Sequence, residues 1–229
     1  RQMCIRDSQG GISMLVTYDQ IIDALVQTIQ MTVFSLLFSS VIGIPLGILL
    51  VVTRKGHLLE NPAVFTVVNM IINIFRSVPF IILMVALIPV TRLIVGTSIG
   101  TSAAIVPLTF YAGPYIARLV ENSLLEVDPG VIEAAEAMGA TPRQIIFRFL
   151  IPEALGSLVL SFTVATVGLV GASAMAGAIG AGGLGDLAIT YGYQRFDTLT
   201  MIITVAILVI VVQGLQTSGN VLSKKLRRR

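Results

Sequence analysis

The sequence contains no tryptophan, one cysteine and one histidine, and only 12% of its 229 residues are charged. Cys4 alone cannot form an internal disulfide, and with His57 it leaves too few side chains for a cysteine–histidine metal cluster. Charge is scarce beside 55% hydrophobic residues, more than a soluble domain of this length can bury. The composition therefore predicts an integral membrane protein.

The few charges that are present exclude further classes of function. The net charge is only +3, and the basic residues lie beside apolar runs rather than in a stripe with aromatics, so nucleic-acid binding is not indicated.

No Gly-x-x-x-x-Gly-Lys-Ser/Thr loop occurs, so the chain cannot hydrolyse ATP itself. We therefore expect no enzyme activity, no cofactor and no metal in this chain.

Apolar runs predict an all-α membrane protein with five transmembrane helices. A run of roughly 20 apolar residues crosses a hydrocarbon core of about 30 Å. Runs of this kind predict spans over residues 18–52, 78–94, 102–120, 154–181 and 199–222. We expect residues 1–13, which are polar and lack an initiating Met, to be a non-native or disordered leader, and residues 14–229 to form a single transmembrane domain.

The second apolar region, residues 61–95, admits two interpretations. Either one long span places Arg76 in the protein interior, or an amphipathic segment over 61–76 precedes a span that begins near Val78. An unpaired arginine at mid-membrane is costly, so we favour the second.

The fourth predicted span ends in very small residues, and an outer loop is expected from Gly180 to about Asp197. Small residues let helices approach closely, or open into irregular backbone that lines a cavity. Ser173 and Met175 are the candidate pore or gate residues, because methionine is flexible and polarisable. The alternative is that Met175 only fills a gap between helices.

Basic residues predict the orientation of the chain. Arg54, Lys55 and Arg118 share one side with the C-terminal cluster, whereas Arg92 and Arg195 lie on the other. Lysine and arginine concentrate on the cytoplasmic side. We therefore expect the N-terminus outside, the C-terminus in the cytoplasm, and the charged loop of residues 123–155 in the cytoplasm.

This loop carries helix start and stop signals. Asp128 and Pro129 are typical of a helix start, and Gly139 of a helix end. Thr141 with Gln144 matches a capping box. The pattern predicts two short helices joined by a tight turn and held outside the lipid.

The loop resembles the EAA loop of ABC importer permeases. That pattern is Glu-Ala-Ala, three residues, Gly, nine residues and Ile-x-Leu-Pro; here Glu133-Ala134-Ala135, Gly139 and Pro152 match, with Pro152 closing the second helix. The resemblance implies a coupling helix that docks into a cytoplasmic ATPase through Glu133, Ala134, Ala135, Glu136, Ala137, Met138 and Gly139. From residue chemistry alone, a loop helix lying on its own protein is equally compatible.

Other stretches, at residues 73–82, 88–100, 104–109 and 180–185, resemble methionine-type ABC importer permeases. The resemblance implies a type I permease fold in the bacterial inner membrane that translocates L- and D-methionine by alternating access. It also implies a second permease copy, two ATPase subunits that bind ATP and Mg, and an extracytoplasmic binding protein. The alternative is a permease for another amino acid or small polar solute.

Two other classes of function have partial sequence signals. Gly183-Leu184-Gly185-Asp186 matches the Gly-x-Gly-Asp form of intramembrane aspartyl proteases, and Asp19 would supply the second carboxylate. We expect both aspartates to lie at outer span ends, in water, and not to share a proton inside the membrane. A channel or secondary transporter usually carries ionisable residues at the midplane, and apart from Arg76 none is evident.

Overall fold

The computed structural model describes residues 15–227, and that part of the chain is helical without a strand. Helix α1 spans Tyr18–Thr53. It begins at a capping box, in which the Thr17 backbone N–H donates to Gln20 Oε1 over 3.0 Å. Pro45 lies inside α1 without ending it. The predicted leader over residues 1–13 lies outside the described residues.

The second apolar region is broken into three helices. Helix α2 spans Pro62–Ser77, α3 spans Phe80–Ala86 and α4 spans Ile88–Val95. A bend of 101° separates α2 from α3, which excludes one straight helix through Arg76. The predicted single helix over residues 78–94 is also wrong, because α3 and α4 are separate. Pro89 in the first turn of α4 has no N–H to continue the hydrogen bonds of α3.

Three further long helices complete the membrane part of the chain. Helix α5 spans Thr101–Leu125 and continues through both of its prolines. The chain then forms α6 over Pro129–Ala137 and α7 over Pro142–Gln144, a π-helical segment over Ile145–Leu150, and α8 over Ile151–Gly177. Helix α10 spans Thr198–Arg227. Four stretches are apolar and long enough to cross a membrane, and the bent pair α2–α3 would make a fifth.

The predicted outer loop after Gly180 is wrong over most of its length. Residues Gly183–Leu187 form helix α9, and Ala188–Gln194 form a second π-helical segment. Leu184 is fully buried, and its backbone N–H donates to Thr28 Oγ1 over 2.9 Å. The N–H of Gly183 donates to Gln27 Oε1 over 2.8 Å. Side chains of α1 therefore cap the start of α9, and this cap depends on contact between residues that are distant in the sequence.

Helices α1 and α5 form the most extensive pair, and α8 packs against both α5 and α10. The α1–α5 contact is close because Gly43 and Gly47 face the α5 backbone without side chains. The main buried cluster joins α1, α5 and α8 to the loop, and its largest members are Met31, Phe80, Leu108, Ile116, Leu124, Leu150 and Leu169.

Asp197 connects the start of α10 to Leu15 through hydrogen bonds. Its Oδ2 accepts from Thr200 Oγ1 over 2.6 Å and from the Leu15 N–H over 2.8 Å, and its Oδ1 accepts from the Thr200 N–H over 3.1 Å. The hydrogen bond from the Thr200 side chain, followed by that from Leu15, lowers the pKa of Asp197 below its ordinary value.

We expect this carboxylate to make the stability of the protein depend on pH. Because the folded pKa is the lower one, the stabilisation is complete above the ordinary Asp pKa of about 3.9 and is lost as pH falls through the folded pKa. Asp197→Asn should lower the melting temperature at pH 7 and have less effect near pH 3. Thermal unfolding of the detergent-solubilised protein measures both. Asp19→Asn, an exposed carboxylate, is the control, and equal losses in the two variants would contradict this role.

Candidate functional site

Helix α6 begins and ends where the sequence predicts. Asp128 Oδ1 accepts from the Gly130 N–H over 2.8 Å, and Pro129 occupies the first turn. At the other end the Gly139 N–H donates to the Glu136 carbonyl over 2.9 Å, and Gly139 adopts a φ of +76°. This left-handed conformation strongly favours glycine, so the chain turns sharply here. The predicted helix start and stop signals are confirmed.

One face of α6 lies on the protein and the other is free. Ala135 is completely buried, and α6 packs against the π-helical segment that follows α7. Ala135 therefore supports the helix from beneath, and the predicted contact surface is corrected at this position. The remaining predicted coupling residues are exposed, and they are Glu133, Ala134, Glu136, Ala137, Met138 and Gly139. Met138 is the most prominent apolar side chain among them, at 70% exposure.

The predicted second short helix is wrong. Its capping box is present, since the Thr141 N–H donates to Gln144 Oε1 over 2.8 Å. The helix then continues through the π-helical segment into α8, and Pro152 lies in the first turn of α8 instead of closing a helix. The N–H of Ile151 reaches back to the Ile146 carbonyl, five residues earlier. This wider turn accommodates a proline, which would clash with an α-helical carbonyl.

This continuity gives α6 a stiff connection to the membrane part. Helix α6 rests on the π-helical segment, and that segment leads without a break into α8. On its other side, three residues connect α6 to the end of α5 at Leu125. Helix α6 is therefore attached to α5 by a short connection and to α8 through the π-helical segment.

A buried polar cluster lies near the end of α5 that leads into α6. Glu121 is only 2% exposed, and its Oε2 accepts from Arg118 Nη1 over 2.5 Å. Arg118 Nη2 also donates to Asn69 Oδ1 over 2.6 Å and to Asn73 Oδ1 over 2.9 Å. Arg54 approaches Glu121 at 3.8 Å. Sequence reasoning used the charge of Arg118 only for orientation and missed the pairing, for which the three-residue spacing to Glu121 was the available signal.

The structure separates the two candidate gate residues. Ser173 is 1% exposed, and its hydroxyl donates to the Val170 carbonyl over 2.8 Å. This side chain has no free surface in the chain. Met175, two residues later on α8, is 52% exposed. Of the two candidates, Met175 alone can contact a solute or another subunit.

The two aspartates of the protease hypothesis are differently placed. Asp186 is half-buried, accepts from Thr190 Oγ1 over 3.0 Å, and lines a polar pocket with Asp23. Asp19 is exposed and is not among the residues that line this pocket. The acidic neighbour of Asp186 in this pocket is therefore Asp23, one turn along α1 from the aspartate that the motif required.

Known proteins match nearly all of this chain. The family described as binding-protein-dependent transport system inner membrane component matches residues 43–229. The probable D-methionine transport system permease protein MetI of Vibrio cholerae is 50% identical over 211 residues, which cover 92% of this chain and 94% of the relative. The D-methionine transport system permease protein MetI of Escherichia coli K12 is 57% identical over 151 residues, covering 66% of this chain and 70% of the relative.

Solved structures agree with these relatives. A chain of the MetNI methionine ABC transporter in an inward-facing conformation matches with a TM-score of 0.90 and 49% identity, covering 91% of this chain and 97% of the other. An amino acid ABC transporter with histidines matches with a TM-score of 0.75, covering 90% of this chain and 94% of the other. Its identity is only 19%, so this second likeness concerns the fold alone.

Proposed function

This chain belongs to the family of binding-protein-dependent transport system inner membrane components, and from that premise we propose that it is the methionine-translocating permease of an ABC importer. It is a multi-pass protein of the bacterial inner membrane. The substrate assignment is carried by the 50% identity, over nearly the whole chain, to a protein named for D-methionine transport. L-methionine is included because the sequence resembles a permease type that imports both stereoisomers.

The exposed face of α6 is the contact with the ATPase. The sequence has no ATP-binding loop of its own, so ATP and Mg are bound by the partner subunit. Five side chains and Gly139 form a free surface on a short helix, and small alanines let that surface enter a narrow cleft. When ATP binding closes the ATPase subunits, their clefts move α6, and the attached helices change from inward-open to outward-open. The energy comes from different contacts in the two states.

The orientation of the chain in the membrane follows from the position of its basic residues. Arg54 and Arg118 meet at Glu121, near the α5 end that leads into α6. The side chain of Arg227 packs over Gly156 and lines a pocket with Asp128, which caps α6. These basic residues thus share one end of the protein with α6, and positive charge favours the cytoplasm. We place the N-terminus outside, where a binding protein delivers substrate.

The complex contains two copies of this chain. Large apolar side chains are exposed along α1, α8 and α10, more than water would tolerate, and these surfaces contact lipid or the second copy. A two-fold axis between two permeases would give each its own ATPase. Met175, half-exposed on α8, is proposed to line the path between them.

Met175→Ala should change transport without affecting assembly. Removal of the thioether leaves the backbone of α8 intact, because the side chain is half-exposed rather than packed in the core. We expect a several-fold change in the initial rate of methionine uptake at an unchanged yield of the complex. Met70→Ala, which removes an exposed methionine of α2 outside the proposed path, is the control and should leave uptake unchanged. Unchanged uptake and unchanged ATP hydrolysis in Met175→Ala would contradict the gate role.

The function itself is tested by uptake into proteoliposomes. The reconstituted permease, its ATPase and the binding protein should import radiolabelled L- and D-methionine when ATP is enclosed with the ATPase. Competition by unlabelled amino acids then measures selectivity. Accumulation of another amino acid in preference to methionine would reassign the substrate, and uptake without the ATPase would support a channel or secondary transporter instead.

A further inference from the structure

The polar cluster around Arg118, in which Glu121 is buried and Asn73 is exposed, joins three helices at the end of α5 nearest the coupling helix. A carboxylate that is 2% exposed, as Glu121 is, must be compensated by opposite charge or hydrogen bonds. Arg118 provides both at 2.5 Å, and the more exposed Arg54 adds a longer contact from the end of α1 at 3.8 Å. Glu121 therefore holds the guanidinium of Arg118 in one orientation.

That orientation aims the second guanidinium nitrogen at α2. Arg118 Nη2 donates to the side-chain oxygens of Asn69 and Asn73, which lie one helical turn apart, at 2.6 and 2.9 Å. The other contacts of α2 are apolar: Ile72 is buried against Leu50 and Ala117. Apolar contacts have little directional preference, whereas charge-assisted hydrogen bonds fix both distance and angle. The register of α2 on α5 thus depends on Arg118.

Helices α1 and α5 are held in register by close backbone packing and need no charge-assisted hydrogen bond. Gly47 of α1 lies so close to α5 that an added Cβ would stand 2.6 Å from the Ala117 carbonyl oxygen. Two helices this closely interlocked move together. Helix α2 is joined to α1 by a backbone hydrogen bond at its N-terminus, where the Asn61 N–H donates to the Thr53 carbonyl over 3.0 Å. Its other end is followed by the 101° bend into α3 and leads through α4 to the start of α5, so side-chain contacts position α2 along the rest of its length.

We propose that Arg118, oriented by Glu121, is a positioning residue that makes α2 follow α5 when the coupling helix is displaced, with Asn69 and Asn73 as its points of attachment. This inference rests on the proposed function, in which α6 is moved by the ATPase. Without these hydrogen bonds α5 still moves, but α2 does not follow in register. ATP is then hydrolysed with less substrate imported.

The test compares two double variants in the reconstituted importer. N69L/N73L removes both acceptors and keeps side chains of similar size. N69D/N73L carries the same leucine and returns a carboxylate acceptor, which can also form an ion pair with Arg118, at the 2.6 Å contact. We expect N69L/N73L to raise the ATP hydrolysed per methionine imported by about fivefold or more. N69D/N73L should return the ATP hydrolysed per methionine imported most of the way to its normal value, with yield and melting temperature alike in the two variants.

Three results would overturn the proposal. The first is a normal ratio of ATP hydrolysed to methionine imported in N69L/N73L, and the second is an equal rise of that ratio in both variants. The third is a fall in transport that follows the yield of folded complex alone, which would indicate a purely structural role. Ala134→Trp on α6 is run in parallel. If that variant is normally coupled while the asparagine variants separate as expected, the docking assignment of α6 fails and the role of Arg118 in coupling stands on its own.

Discussion

Ala134→Trp is expected to abolish most methionine uptake while the membrane helices remain folded. Ala134 lies on the exposed face of α6, with no packing role in the chain, so an indole there meets only the partner. In a narrow cleft its volume must displace α6 or prevent docking. We expect uptake to fall by about tenfold or more, because coupling free energies are of the order of 1–3 kcal/mol. Proteoliposome uptake and ATP hydrolysis are measured on the same preparation.

Glu133→Lys tests the same surface by charge. The side chain is exposed beside Ala134, so reversing its charge leaves the fold of α6 unchanged and alters only complementarity with the ATPase. Ala134→Ser, which keeps a small side chain, is the matched control and should transport normally. Normal uptake together with normal co-purification of the ATPase in both Ala134→Trp and Glu133→Lys would contradict docking through α6.

Gly43→Ala and Gly47→Ala should destabilise the permease itself. An added Cβ at Gly43 would lie 2.7 Å from the Gly113 carbonyl oxygen, and at Gly47 2.6 Å from that of Ala117. Backbone atoms cannot move aside as a flexible side chain can, so α1 must separate from α5 along its whole contact. We expect a loss of about 1–3 kcal/mol for each substitution, despite the better helix propensity of alanine.

The loss is measured as the melting temperature and the yield of monodisperse protein in detergent. Gly214→Ala on α10 makes the same chemical change where an added Cβ has no neighbour within 4 Å, and it should be neutral or slightly stabilising. A fall in melting temperature as large for Gly214→Ala as for Gly47→Ala would show that helix flexibility, rather than close packing, explains the effect. The double variant of Gly43 and Gly47 should fail to accumulate in the membrane.

Much of the candidate site followed from local chemistry. The start of α6 at Pro129, its cap at Asp128 and its end at Gly139 depend on side chains and backbone angles within a few residues, so the sequence alone predicts them. The same holds for the long apolar helices, whose existence depends on composition over about 20 residues. The break between α2 and α3 likewise follows from Pro79 and its neighbour.

Predictions from the sequence were wrong where a contact between residues distant in the sequence outweighed the local signal. Residues 183–194 are rich enough in glycine and polar side chains to indicate a loop, yet Gln27 and Thr28 cap residues 183–187 into a largely buried helix. Pro152 indicates a helix end, yet the wider π turn before it carries the chain straight into α8. Ala135 is chemically indistinguishable from Ala134, and only packing against the chain decides which of the two a partner can touch.

By itself, then, the sequence determined that this chain is a helical membrane protein with a capped, charged helix between two spans, because hydrophobicity and capping act over short distances. The tertiary structure alone decided that Arg118 meets the two asparagines of α2, since up to 49 residues separate partners whose side chains lie within 3 Å. The Arg118–Glu121 pair has a local signal in its three-residue spacing, whereas the asparagines lie on another helix and no local pattern places them beside Arg118.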